Sequence, residues 1–62
     1  MLIIRKVKSA YEIVYIKENE IVDTFPNLDE SILKLSNEAI LALAKIYMKN
    51  IPDDLLTVHR ET

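Results

Sequence analysis

The first 25 residues alternate apolar and polar positions in the manner of β-strands. Isoleucine, valine and tyrosine dominate residues 2–8 and 11–17, and a shorter apolar run follows at 20–25. β-branched and aromatic residues at a period of two predict strands. Because the connections between the three runs are short, each strand is predicted to pair antiparallel with the next, as a three-stranded meander.

The connections carry little turn chemistry, because the chain has no glycine. Ser9-Ala10 is expected to connect the first two strands. The second turn falls within Lys17–Glu20, where Asn19 is the best candidate for a left-handed conformation. Pro26 lacks the N–H that a strand donates, so it is predicted to close the sheet.

The spacing of apolar residues changes to that of a helix after Pro26. Asn27 is the expected N-cap, and leucine, alanine, lysine and glutamate then favour a helix over residues 28–49. Asn50 suits the left-handed position just after a helix, and Pro52 prevents continuation. An alternative is a break in which Ser36 caps a second, separate helix. One continuous helix is favoured because the apolar pattern runs in phase through this point.

This predicted helix is apolar on two sides. One stripe is predicted to face the sheet, and it is formed by Leu28, Ile32, Leu35, Ala39, Leu43 and Ile46. Leu41, Ala44 and Met48 lie among the polar residues of the opposite side, at a spacing that aligns them on one surface. We therefore expect these three residues to be uncovered by the chain itself and to contact a partner.

Both faces of the predicted sheet are also apolar. In the second strand Tyr11, Ile13 and Tyr15 share one face, whereas Val14 and Ile16 share the other. One helix covers only one face, and an antiparallel sheet that faces water usually shows polar residues there. Val14 and Ile16 therefore join the candidate interface residues.

The small size of the chain also favours association with a partner. Sixty-two residues are expected to form a single α+β domain, in which three strands are followed by one long helix and a short tail at 51–62. A domain this small is usually stabilised by disulfides, a metal or association. The chain has no cysteine and one histidine, so we expect a homo-oligomer, most simply a dimer, that needs no cofactor or metal.

Composition argues against several classes of function. Without glycine the chain cannot form the phosphate-binding loops of nucleotide-binding proteins. The adjacent carboxylates Asp53-Asp54 and Asp29-Glu30 have no nucleophile or base beside them, so we expect no enzymatic activity. The expected function is a small protein–protein interaction or regulatory module. We expect it to be cytoplasmic and to bind no small-molecule substrate. We also expect no binding to a membrane, since no apolar run approaches the length of a membrane span.

The uneven distribution of charge leaves two alternatives open. The net charge is −2, but residues 1–17 carry four bases and one acid, whereas residues 18–30 carry five acids and no base. A DNA-binding regulator would use the N-terminal ribbon, with base-stacking tyrosines between basic side chains; its candidate residues are Arg5, Lys6, Lys8, Lys17, Tyr11 and Tyr15. An acidic inhibitor protein would use the segment 18–30.

Overall fold

A computed structural model describes residues 1–61, in which a four-stranded sheet packs against two helical segments. The strands are β1 (Leu2–Val7), β2 (Ala10–Lys17), β3 (Glu20–Leu28) and β4 (Val58–Arg60); a 3-10 helix covers Glu30–Lys34 and α1 covers Asn37–Tyr47. The sheet order is β3-β2-β1-β4, with β1–β2 and β2–β3 antiparallel and β1–β4 parallel. The predicted α+β class, with three antiparallel strands followed by a helix, is confirmed.

Two tight turns set the register of the meander. Val7 lies opposite Ala10, so the first turn is Lys8-Ser9, one residue earlier than predicted, and Lys8 has a φ of 60°. In the second turn Glu18 and Asn19 have φ values of 54° and 64°. Two left-handed residues match the twist of the strands that they connect, so the expectation for Asn19 is confirmed.

The third strand continues through the proline that was expected to end it. Pro26 lies inside β3, which is an edge strand with one side free of backbone partners. The missing N–H of a proline is tolerated there. Asn27 has a φ of 62° within an irregular stretch of the β2–β3 pairing, so it is a bulge residue and not the helix N-cap.

The predicted single helix over 28–49 is wrong. The Asp29 side chain caps the 3-10 helix by accepting from the Ser31 N–H, and Leu35 then returns to an extended conformation. Ser36 begins α1, because its hydroxyl oxygen accepts the Ala39 N–H at 3.1 Å. The apolar residues before and after this break keep the same helical phase, so their spacing alone could not reveal the break. The predicted left-handed residue after the helix is confirmed, since Asn50 has a φ of 63°.

The orientation of the helix is also opposite to the prediction. Ile40, Leu41, Ala44 and Met48 are buried, whereas Ile46 is 71% exposed. Once the helix is shortened to 37–47, only two turns of the long predicted stripe remain on it. The shorter stripe then supplies the face that covers the sheet, so Leu41, Ala44 and Met48 belong to the core.

The segment predicted as a tail contributes the fourth strand. β4 pairs with β1, and in this register Leu2 to Ile4 lie opposite Val58 to Arg60. The Glu61 N–H extends the pairing by donating to the Ile4 carbonyl. The guanidinium of Arg60 donates to the Asn37 side chain and to the Leu35 carbonyl, and so ties β4 to the start of α1. The last residue of the predicted tail, at position 62, lies outside the described residues.

The core lies between one face of the sheet and the helical segments. Its buried members are Leu2, Ile4, Ile13, Tyr15, Ile32, Ile40, Leu41, Ala44 and Met48, with Ile51, Leu55 and Val58 packed against them. Leu2 and Ile4 alternate with Ile3 along β1, and Ile13 and Tyr15 alternate with Val14 along β2. The predicted alternation of faces in both strands is therefore confirmed.

Candidate functional site

The candidate site is the face of the sheet that points away from the helices, which we call the open face. This face consists of the strand residues that alternate with the core residues of β1 and β2, together with their register partners on β3 and β4. They are Ile3, Arg5, Val7, Ala10, Glu12, Val14, Ile16, Ile21, Thr24 and His59. None of them belongs to the core cluster, which contains both helical segments and the segment around Ile51 and Leu55. Within residues 1–61, the covering elements therefore lie on the other side.

Six of the ten residues of the open face are apolar. Ile3 and Ile16 are half-buried by their neighbours, while Val7 and Ile21 are exposed. Val14, on the central strand β2, is 1% exposed although it packs outside the core cluster. Because an antiparallel sheet that faces water normally carries polar residues there, this face is suited to contact another surface.

One ion pair lies in the middle of the open face. Arg5 and Glu12 are directly opposite each other across β1 and β2, and the Arg5 Nε donates to the Glu12 carboxylate. The Glu12 side chain is 12% exposed and that of Arg5 is 38% exposed. Among residues 1–61 the Nη groups of Arg5 donate to no partner, so the pair presents hydrogen-bond donors to whatever approaches the face.

The structure divides the predicted interface residues between two places. Val14 and Ile16 lie on the open face, as the alternation predicted. Leu41, Ala44 and Met48 are buried against the opposite face of the sheet, so the expectation that they are uncovered is wrong. The physical reason is that they form the core-facing side of α1.

The structure also separates the residues proposed for nucleic-acid binding. Tyr15 is 5% exposed beneath the helix and Tyr11 is partly buried against the core, so the two rings do not form an exposed pair for base stacking. Arg5 is paired with Glu12 on the open face, whereas Lys6 lies at an alternate position of β1. Lys8 and Lys17 lie at opposite ends of β2, which spans more than 20 Å at about 3.3 Å per residue.

Sequence reasoning missed Glu12 as a member of the site. The signal that would have found it is the position of the first turn. A two-residue turn at Lys8-Ser9 pairs Arg5 with Glu12, whereas the expected turn at Ser9-Ala10 would have shifted the register. Since a basic residue and an acidic residue stand opposite each other, the ion pair follows directly from that register.

The sheet edges are poorly suited to pairing with another strand. β3 contains Pro26 and two irregularities in its pairing with β2, and β4 is only three residues long. Prolines, bulges and short strands are the features by which proteins prevent edge-to-edge association. Both edges of the sheet therefore carry features that oppose pairing with a further strand.

Two carboxylates of the acidic segment are occupied within the fold. The backbone N–H groups of Lys49 and Thr24 donate to Asp23 at 2.7 and 2.9 Å, and they lower the pKa of this carboxyl from its ordinary value of 3.8. Hydrogen bonds from the Ser31 backbone N–H and hydroxyl lower the pKa of Asp29 in the same way. Asp29 caps the start of the 3-10 helix, and Asp23 holds the segment after α1 to β3, which leaves fewer free acids for an inhibitor surface.

Two grooves lie on the surface of the described chain. One, of about 570 Å³, is at the end of β2 and is lined by Tyr15, Lys17, Val22 and residues 50–53. The other, of about 310 Å³, is beside the first turn and is lined by residues 7–12 together with Pro26 and Asn27. Across residues 1–61, no cluster of three or more histidine or acidic side chains is arranged to hold a metal ion. Neither helical segment in this part of the chain has the length and apolar character needed to cross a membrane.

Comparison with known proteins identified no similar protein. No protein-family model matches the chain, and no curated protein or solved structure is significantly similar to it.

Proposed function

We propose that this protein is a small non-enzymatic interaction module that acts as a homodimer, with the open face of its sheet as the contact surface. The observation that carries the proposal is the apolar open face, on which no helical segment of the described chain packs. Ile3 and Ile16 are half-buried there, and Val7 and Ile21 are exposed. A second copy is the occupant that the surface favours, because the face is self-complementary in charge. It carries one base and one acid at its centre, and an isologous contact can place each next to its opposite in the other copy.

The size of the open face agrees with a modest dimer. The four strands contain 26 residues, and at about 3.3 Å per residue and about 4.8 Å between strands they give a flat area of about 400 Å². Specific interfaces typically bury about 800 Å² of accessible surface per partner, and the accessible area of side chains exceeds the flat area beneath them. The face is therefore large enough for a specific contact of the smaller class.

The expected affinity is moderate. Burying about 200 Å² of apolar surface on each subunit contributes about 10 kcal/mol at 25 cal/mol per Å². Association itself costs about 4–15 kcal/mol in lost freedom and side-chain ordering. At the lowest cost about 6 kcal/mol remains in favour of association, which corresponds to a dissociation constant of tens of micromolar, and a higher cost moves this constant to the millimolar range. The balance between monomer and dimer therefore depends on protein concentration.

The test is the mass in solution of two variants that carry the same substitution on different surfaces. Ile16→Glu places a charge on the open face, whereas Ile46→Glu places it on the outer side of α1, where Ile46 is already exposed. Sedimentation equilibrium should show a dimer for the native chain and for Ile46→Glu, and a monomer for Ile16→Glu. Far-UV circular dichroism should show that both variants keep their secondary structure. A native chain that remains monomeric at millimolar concentration contradicts the proposal.

The same samples separate this proposal from DNA binding. The basic side chains are dispersed over both faces and both ends of the sheet, so the native chain should elute from heparin at low salt. Retention on heparin that is lost with Lys6→Ala and Lys8→Ala, combined with a monomeric mass, would favour the DNA-binding alternative, because phosphate contacts make binding strongly salt-dependent.

A further inference from the structure

The sheet has a midline about which its strands are evenly arranged. In the order β3-β2-β1-β4, the boundary between β1 and β2 has two strands on each side. Three pairs of open-face residues oppose each other across this boundary, namely Ile3–Val14, Arg5–Glu12 and Val7–Ala10. In the outer two pairs a larger apolar residue stands opposite a smaller one. The midline is therefore a natural position for a symmetry axis.

Two sheets that pack face to face are related by a two-fold axis that lies in the plane between them. If this axis runs along the midline, the β1 of one copy lies over the β2 of the other, and β3 lies over β4. Each open-face residue of β1 then lies over its own register partner in the second copy. Ile3 covers the partner's Val14, and Arg5 covers the partner's Glu12.

An axis across the strands gives a less favourable contact. It places β1 over β1, so that Arg5 meets the partner's Arg5 or an apolar residue. Juxtaposed like charges and buried charges without an opposite partner are both unfavourable. The central ion pair thus discriminates between the two orientations, since only the axis along the strands joins each base to an acid.

We propose, on the basis of the homodimer proposed above, that the two-fold axis follows the β1–β2 midline and that Arg5 and Glu12 are the residues that determine how the copies recognise each other. Arg5 uses its Nε for Glu12 of its own chain, and its Nη groups donate to no residue in the described part of the chain. A guanidinium has five N–H donors in a planar fork. Its remaining donors therefore face the partner's Glu12, and the two pairs form one four-membered charge cluster.

Charge reversal in separate chains tests this arrangement with full-length protein. A chain with Arg5→Glu carries two acids at the centre of its open face, and a chain with Glu12→Arg carries two bases. Each chain alone should be monomeric, because its homodimer would juxtapose four like charges. When the two chains are mixed, one of them isotopically labelled, native mass spectrometry should show heterodimers in at least about tenfold excess over homodimers, since like charges across an interface are strongly disfavoured.

A matched pair of charge changes away from the open face provides the control. Lys8→Glu and Glu18→Arg lie in the two turns, so their mixture should give heterodimers and homodimers at the statistical ratio. The chain that combines Arg5→Glu with Glu12→Arg should dimerise with itself, which shows that the substitutions are compatible with the fold.

The outcomes distinguish this inference from the proposal on which it depends. If the native chain and the doubly substituted chain dimerise but the two single variants show no preference for each other, the placement of the axis is overturned while the homodimer stands. If neither the native chain nor the doubly substituted chain dimerises, the proposed function fails as well.

Discussion

Two isoleucines on the same helix provide a direct test of how α1 is oriented. Ile40 is 0% exposed in the core, whereas Ile46, less than two turns later, is 71% exposed. The same substitution, isoleucine to valine, removes one methylene at each position. At Ile40 it should lower the free energy of unfolding by about 0.5–1.5 kcal/mol, because buried methylenes contribute both transfer and packing energy. At Ile46 the change should stay within about 0.5 kcal/mol, as at other exposed sites.

These differences are measurable in a chain of this size. A 62-residue domain is expected to have a total stability of about 3–9 kcal/mol, so conservative substitutions keep both variants folded. With a urea dependence of about 1 kcal/mol per M for a small domain, Ile40→Val should lower the urea midpoint by about 1 M and Ile46→Val should leave it nearly unchanged. Protein concentration must be held constant, since association adds to apparent stability. An equal shift for both variants would refute the orientation of α1.

Three further predictions concern the contacts that hold the helical layer to the sheet. Replacing Asp23 by asparagine should make unfolding less sensitive to acid. Because the Asp23 pKa is lowered in the folded state, the carboxylate contributes stability above the ordinary pKa of 3.8, and this contribution is lost as the pH falls through the folded-state pKa. In an acid titration followed by circular dichroism, the native chain should therefore lose more stability than the variant. Arg60→Lys keeps the charge but loses the guanidinium fork that binds Asn37 and the Leu35 carbonyl, so hydrogen exchange in β4 should accelerate while exchange in β2 is unchanged. Ser36→Ala removes the cap of α1 and should cost about 1 kcal/mol of stability in denaturant unfolding, and Ser9→Ala in the first turn is the control that should have little effect.

The part of the fold that could be predicted is the part in which local signals decide the structure. Strand periodicity indicated β1 and β2, and Asn19 and Asn50 took the left-handed conformations for which their side chains are suited. Pro26 was misinterpreted because a proline is excluded only from central strands, and the position of β3 at the sheet edge is a property of the complete fold. The fourth strand has only three residues, which is too short for any periodic pattern to indicate.

The helix illustrates a second limit of local reasoning. Both of its apolar stripes satisfied the helical period, so the choice between them depended on where the helix begins. The hydroxyl of Ser36 starts a new helix, and the preceding residues form a separate 3-10 turn. This break removes Leu28, Ile32 and Leu35 from the helical stripe that was expected to face the sheet. The stripe of Leu41, Ala44 and Met48 is then the one that covers the sheet.

The candidate site was predictable in part for the same physical reasons. The alternation in β2 correctly placed Val14 and Ile16 on the face opposite Ile13. The contribution of Arg5 and Glu12 depended on a one-residue difference in the position of the first turn, because that turn sets which residues stand opposite each other.

The most direct test of the open face as an interface is a search for contacts between two differently labelled copies. Isotope-filtered NMR on a mixture of labelled and unlabelled chain at millimolar concentration detects magnetisation transfer only across the interface. A dimer that forms through the open face should give intermolecular contacts between the methyl groups of Ile3 and Val14, with none from Ile46. Intermolecular contacts that arise from α1, or a complete absence of them in this concentrated sample, would contradict it.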